Sequence, residues 1–279
     1  MRPGPFAGRT AVFATMHGKE AAFGPPLAAG PGLTLVVPEG IDTDRLGTFT
    51  GDIPRAGTIE EAVRAKARLG MAMTGLNLGL ASEGAYGPHP QIPFLALGLE
   101  TAILLDAATQ TEVRETVTDE TPTYGRFETG GTQDLDTFLR RVDFPAQGLI
   151  LSWGAPEPGR MIKGLRDPAV LRAELGSAEA GAVLETDMRA HMNPRRMETL
   201  RRLATRLADR LCCTCPLCEA PGFGRTGVET GLPCGCCGTA TGLVVSELWS
   251  CPACAHSERR GRADGTTRAD PGTCPLCNP

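Results

Sequence analysis

Two groups of residues in this chain have the types and spacing to do chemistry. The first is a run of four CxxC pairs: Cys215 and Cys218, Cys234 and Cys237, Cys251 and Cys254, Cys274 and Cys277. A two-residue spacer lets both thiolates of a pair turn toward one ion at about 2.3 Å, and four such pairs make two four-cysteine zinc sites. Redox dithiols and an iron-sulfur cluster are the other chemistries open to this spacing. Between the second and third pairs, "TGLVVSELWSC" reads as one long strand. A run of about ten residues at roughly 3.3 Å each separates those pairs by some 30 Å. The expected pairing is therefore interleaved, first with third and second with fourth, with "ADGT" turning the chain back. Cys212, Cys213 and Cys236 are left over as ordinary small residues.

The second group lies upstream, in short polar runs. "MHGKE" holds His17 and Lys19, "DTD" holds Asp42 and Asp44, and "GTFTGD" ends in Asp52. "SEGAYGPHP" holds Glu83 and His89, and "ETDMRAHMNPRR" holds Asp187, Arg189, His191 and Arg196. Glu61 and Lys66 lie between these runs, on a helix. Lysines and arginines can hold phosphate oxygens, and carboxylates can hold Mg²⁺, which prefers a few carboxylates together with phosphate oxygens. The runs contain no Walker loop, no G-x-S-x-G elbow and no cysteine, so attack by metal-activated water is the economical chemistry. A different assembly, His17, His89 and His191 converging with Glu83 on a transition metal, uses the same residues.

The elements that must position these runs follow from periodicity. "RTAVFAT", "LTLVVPEG", "LNLGLAS", "LETAILLD" and "QGLILSW" read as strands. "MHGKE" follows the first strand and leads into an alanine-rich stretch that "GPP" interrupts at residue 24. "TIEEAVRAKARLGMAM" is a helix with a Thr58/Glu61 capping box. Its Lys66 points into the apolar side, either as a stem that snorkels to solvent or as a cation aimed at an anionic ligand. "LDTFLRRV", "PAVLRAEL" and "PRRMETLRRLATRLADRL" are further helices. The last has Asn193 as N-cap and Pro194 in its first turn; Met197, Leu200, Ala204, Leu207 and Leu211 form its packed stripe, and its arginines face water. Residues 154–168 read as a mobile loop. Strands alternating with helices give an α/β fold with a mixed sheet, and polar runs at strand ends are where such folds collect ligands.

Composition sets bounds on this picture. The chain has 279 residues, 41% of them hydrophobic, enough for a substantial core. All eleven cysteines fall at or after Cys212, so the expected division is 1–211, an α/β phosphate-binding domain, and 212–279, a β-rich unit with two zinc sites. Net charge is −4, and residues 201–279 carry nine basic against seven acidic side chains. Two zinc centres, each adding about two negative charges with four thiolates, leave the tail unsuited to nucleic acid and better suited to a structural or protein-docking role. Neither a membrane span nor a signal-peptide core is evident, so the expected location is cytoplasmic.

With these motifs together, nearly the whole chain resembles an uncharacterised bacterial family in which "MHGKE", "DTD", "GTFTG", "SEGAYGPHP", "ETDMRAHMNP" and "CPLCNP" recur. Residues 9–211 also resemble, more distantly, the nucleotide pyrophosphatases of the Maf and inosine triphosphatase (ITPase) kind. "FATMHGKE" matches their first strand and phosphate-binding lysine with Lys19, "EAVRAKA" matches a glutamate-led helix with Glu61 and Lys66, and "LASEGA" matches an acidic strand end with Glu83. "AHMNPRRMETLRRLA" offers His191, Arg195 and Arg196 for a Ser-His-Arg turn. The chain departs from that pattern at Ala62, at Ser82 in place of a paired aspartate, and in the spread His-Arg step.

This resemblance implies an ITPase/Maf-like mixed-sheet domain and a Mg²⁺-dependent hydrolase that releases pyrophosphate from a nucleotide. In it Glu61 and Glu83 hold the metal and orient water, with Asp44 or Asp52 as a third carboxylate. Lys19 and Lys66 grip phosphates, and His191 and Arg196 contact base or phosphate. It also implies a homodimer. The competing expectation is a non-catalytic nucleotide- or anion-binding protein whose zinc ribbon docks a protein or, less favourably, a nucleic-acid partner.

Overall fold

A computed structural model of the chain describes residues 4–43, 45, 47, 57–89, 91–154, 159–178 and 181–279. Its first sheet is mixed, with strand order β2-β1-β3-β4-β5. The strands are β1 (Thr10–Ala14), β2 (Thr34–Val36), β3 (Leu78–Pro88), β4 (Ala96–Asp106) and β5 (Thr111–Asp119). β2, β1 and β3 run parallel, whereas β4 and β5 continue the sheet antiparallel. Val12, Phe13, Leu80 and Ile103 have no exposed surface, as a sheet covered on both faces demands.

Helix α2 (Ile59–Thr74) covers one face through Val63 and Ala67. Helices α1 (Glu20–Ala29) and α5 (Pro194–Cys212) cover the other, in a core that includes Phe13, Phe23, Leu27, Leu80, Leu200 and Leu207. Contrary to the sequence expectation, "GPP" does not interrupt α1, which runs through Pro25 and Pro26. Each proline removes a ladder donor, but Ala22, Phe23 and Leu27 are fully enclosed on this one short helix, and that burial outweighs the lost bonds. Cap signals hold elsewhere: Thr58 and Glu61 form the capping box of α2, and Asn193 accepts from Arg196 N at 2.8 Å to start α5.

β3 also departs from expectation by running on past Ser82. It pairs with β4 without a break from Leu78↔Asp106 to Pro88↔Ala96. β1, by contrast, pairs with β3 only as far as Ala14↔Ala81. Glu83 therefore sits inside a strand but just beyond the end of its parallel neighbour.

Between β5 and α5 lies a second, antiparallel sheet with order β6-β9-β7-β8: β6 (Arg126–Glu128), β7 (Leu149–Trp153), β8 (Arg160–Leu165) and β9 (Val183–Thr186). Helices α3 (Leu135–Arg141) and α4 (Pro168–Ser177) close its own core of Phe127, Phe138, Leu149, Leu151, Leu171 and Leu184. The supposed loop at 154–168 is thus partly β8, an edge strand whose pairing with β7 the Gly/Pro content concealed.

The cysteine-rich end is an antiparallel meander of β10 (Gly224–Thr230), β11 (Val244–Ser250) and β12 (Ser257–Gly261). Among the described residues, no helix is long and apolar enough to cross a membrane.

Candidate functional site

The cysteines gather as two four-thiol groups: Cys215, Cys218, Cys251 and Cys254, and Cys234, Cys237, Cys274 and Cys277. The interleaved pairing is the one observed. β11 has seven residues rather than ten, still about 23 Å of extended chain, which keeps the second and third pairs apart. Sulfur separations across the pairs are 3.6–3.8 Å in the first group and 3.6–3.9 Å in the second. A tetrahedron with Zn–S bonds of about 2.3 Å has edges of about 3.8 Å, so both groups could hold a zinc ion. In each pair the first thiol accepts a backbone N–H two residues on, from Leu217, Cys236, Ala253 and Leu276 respectively. Such contacts fix thiolate orientation around a metal.

The second site is a narrow cleft at the carboxyl end of β1. His17, Lys19, Thr43, Lys66, Ser82 and Glu83 are among its lining residues. β1 delivers His17 and Lys19 in the turn that starts α1, α2 delivers Lys66, and β3 delivers Ser82 and Glu83. The space between them is about 20 Å³, room for roughly one water-sized group. Lys66 does not snorkel: Nζ lies 2.6 Å from Glu83 Oε2, and both residues are buried. Lys19 Nζ donates to Ser82 O at 3.1 Å and Ser82 Oγ at 3.0 Å. Both acceptors are neutral, and among the described residues no carboxylate lies in ion-pair contact with this ammonium. Burial and the nearby Arg196 guanidinium lower the Lys19 pKa to about 8.

A second buried centre backs the cleft on the other face of β3. Arg196 Nε donates to Glu100 Oε1 at 2.5 Å with neither side chain exposed, and Arg196 Nη1 donates to Met188 O. Tyr86 Oη donates to the same Glu100 oxygen at 2.9 Å, under the Arg196 guanidinium, which lies 5.5 Å from the Tyr86 ring centre. Burial pushes the Tyr86 phenol far above its usual range, and the Glu100 charge adds to this. The glycines of "SEGAYG" and "LGLE" make this packing feasible. A Cβ on Gly84 would fall 2.6 Å from Glu100 Oε1, and one on Gly98 would fall 2.3 Å from Tyr86 Cε1. Asp119 completes the centre, accepting from Thr199 Oγ1 at 3.1 Å.

Several expected site residues are elsewhere. Glu61 is fully engaged in its cap, with Oε2 accepting from Thr58 N at 2.7 Å, and it is not among the residues lining the cleft. Arg196 is buried and is not among the residues lining the cleft; its guanidinium donates to Glu100 and to Met188 O. Asp187 is fully buried and accepts from Arg189 Nη2 at 2.5 Å, making that pair a local clamp. His89 Nδ1 accepts from Gln91 N and Ile92 N at 3.1 Å, which shapes the β3–β4 turn. His191 reaches the cleft only through His17, with ring centres 5.4 Å apart; burial and the adjacent Arg189 lower its pKa. Asp44, Asp52 and most of "GTFTGD" lie outside the described residues. Among the described residues, the two cysteine groups are the ones gathered within ligand distance; the three histidines and Glu83 are not brought together in this way.

Sequence reasoning missed Glu100, Tyr86's partner and Lys19's partner Ser82. Glu100 carried a signal, as a lone acid within the apolar run "LALGLETAILL". No curated protein matches this chain. The family model described as "Domain of unknown function (DUF6671)" matches residues 66–279, and the chain belongs to that family.

Proposed function

We propose that residues 1–211 bind a nucleotide or related phosphorylated small molecule in the Lys19 cleft and hydrolyse its phosphoanhydride, and that residues 212–279 form a unit held by two structural zinc ions. One observation carries the reading: Lys19 is a buried ammonium hydrogen-bonded to neutral oxygens at the mouth of a parallel strand pair. A buried charge without a counter-ion is costly, and a phosphate oxygen would supply the missing charge. That position, at a strand's carboxyl end, is where open α/β sheets bind ligands. Lys19 and Lys66 would grip the phosphate oxygens and stabilise charge developing on them.

Glu83 is the carboxylate among the described lining residues. Mg²⁺ is commonly held by one or two carboxylates plus substrate phosphates, so Glu83 would hold it, and the ion would supply Lewis-acid stabilisation. Glu83 would also accept a hydrogen bond from the attacking water, with Lys66 setting the carboxylate's orientation. Glu61 has no part in this reading.

A second reading, binding without turnover, is favoured by the Lys66–Glu83 contact itself, since that carboxylate is already neutralised. One experiment separates them: pyrophosphate release from a panel of canonical and deaminated nucleotides with Mg²⁺, alongside calorimetric titration of the same nucleotides. Turnover abolished by Glu83→Gln supports the hydrolase. Heat of binding without turnover supports the second reading, and neither signal from any nucleotide overturns both.

A further inference from the structure

A cavity of about 420 Å³ lies away from the cleft, where the meander meets the first sheet. It follows the outer edge of β5 on one side and β10 on the other, and each is an edge strand of its sheet. Side chains from both faces of β5 line it, Glu112 and Arg114 from one and Glu115 from the other, so the cavity wraps the strand's outer edge.

The backbone direction along that edge is legible from its contacts. Arg210 Nη1 donates to Arg114 O at 2.6 Å, and Arg202 Nη2 donates to Thr118 O at 3.3 Å. Both carbonyls point outward, and by strand alternation so do the N–H and C=O groups of Glu112 and Thr116. β5 keeps an unbroken register with β4 from Thr111 to Asp119, which makes it a straight template. β10 has register shifts at Arg225/Gly227 and Glu229/Thr230, and such bulges spoil an edge for pairing. β5 is therefore the template and β10 the opposite wall.

Charge decides what would fit. Arg64, Arg114, Arg206, Arg210 and Arg225 line the cavity, against three glutamates. Arg206 and Arg225 are about half exposed and sit in surface ion pairs with Glu115 at 3.8 Å and Glu247 at 3.1 Å, contacts weak enough for an acidic partner to exchange. We propose that an extended acidic peptide segment of a partner protein docks here as a sixth strand, pairing with the outward N–H and C=O groups of Glu112 and Thr116 and with the Arg114 N–H, while Arg114 O stays with Arg210, and meeting arginines on both sides. Strand addition of this kind draws affinity from main-chain hydrogen bonds and specificity from side chains.

The test uses the full, zinc-loaded chain and a fluorescein-labelled peptide of alternating Glu and Val. The expected result is saturable binding, with slowed hydrogen exchange at the Arg114 and Thr116 amides. Arg206→Glu with Arg225→Glu is expected to weaken it at least about tenfold by charge reversal, while the fold is retained because the pairs lost, with Glu115 and Glu247, are surface pairs of half-exposed arginines. Thr116→Pro, which removes an outward donor at an edge strand, is expected to abolish the exchange protection. The proposal is overturned by unchanged exchange at those amides under saturating peptide, or by equal binding of an alternating Lys and Val peptide. Tighter binding of oligothymidylate would assign the groove to nucleic acid, and protection that rises with protein concentration alone would assign it to a second copy.

Discussion

Lys66 Nζ lies 2.6 Å from Glu83 Oε2, with side chains 9% and 5% exposed. This contact ties α2 to β3 just past the last residue pair that β1 makes with β3, so it both shapes the cleft wall and closes the end of the sheet. Two charges removed from water need compensation, and each supplies it to the other.

Breaking that pair from one side is expected to be expensive. Lys66→Met or Glu83→Gln alone should lower unfolding free energy by about 3–5 kcal/mol, because each removes one partner of a buried charge pair. Lys66→Met combined with Glu83→Leu should cost less than either single change. Urea unfolding of the three variants measures this; additive losses in the double variant would contradict it.

Lys19 gives a pH signature. Its pKa is lowered from 10.5 to about 8, so between those values the unfolded chain binds the extra proton and stability rises with pH. Below about pH 8 the penalty is fully present, and it amounts to about 3 kcal/mol at 1.36 kcal/mol per unit. Lys19→Met should remove that rise and hold or increase stability at pH 7, while eliminating orthophosphate binding. Denaturation midpoints of the two proteins from pH 7 to about pH 10, with phosphate titrations at pH 7, check both halves.

Zinc stoichiometry reads the interleaved pairing directly. The intact chain should release two ions to a chromogenic chelator after thiol modification, one for each four-cysteine group. Cys215→Ser with Cys251→Ser should lose the same single ion as either change alone. Cys215→Ser with Cys234→Ser should lose both.

Glu61 separates stability from binding. Glu61→Ala removes half of the capping box and should lower the thermal unfolding midpoint, with nucleotide affinity unchanged. Glu61→Gln keeps the capping geometry and should cost less.

Which parts of this were legible in advance follows from how local the signals are. The knuckle spacing, the Thr58 cap and the Asn193–Pro194 helix start involve residues within a turn of each other, and all three appear as read. Interleaved zinc pairing was accessible because one extended strand sets a distance. What escaped depended on residues distant in sequence: Arg196 pairs with Glu100, 96 positions away, and only the fold reveals that α5 crosses β4 there. Glu61 was over-read for a related reason. A capping glutamate and a metal-holding glutamate look alike on a helical wheel, and only the observed bond to Thr58 distinguishes them. Lys19 and Glu83 were recognised by type and strand-end position, and Lys66 by its place on the apolar side of a helix; the three line one cleft.

The place of α5 in the chain order has a consequence for biosynthesis. Its Leu200, Leu203 and Leu207 close the core over β1 and α1, which are made first and stay uncovered until about residue 212 leaves the ribosome. The second sheet and its helices, with a core drawn wholly from residues 127–184, can close earlier. Synthesis therefore favours an inside-out order in which the nested sheet forms before the sheet that carries the cleft, as domains that complete their contacts first tend to fold first. During that interval the apolar strands around Phe13 and Leu80 lack the cover that α5 supplies, and a stall or truncation before α5 would leave them open to aggregation.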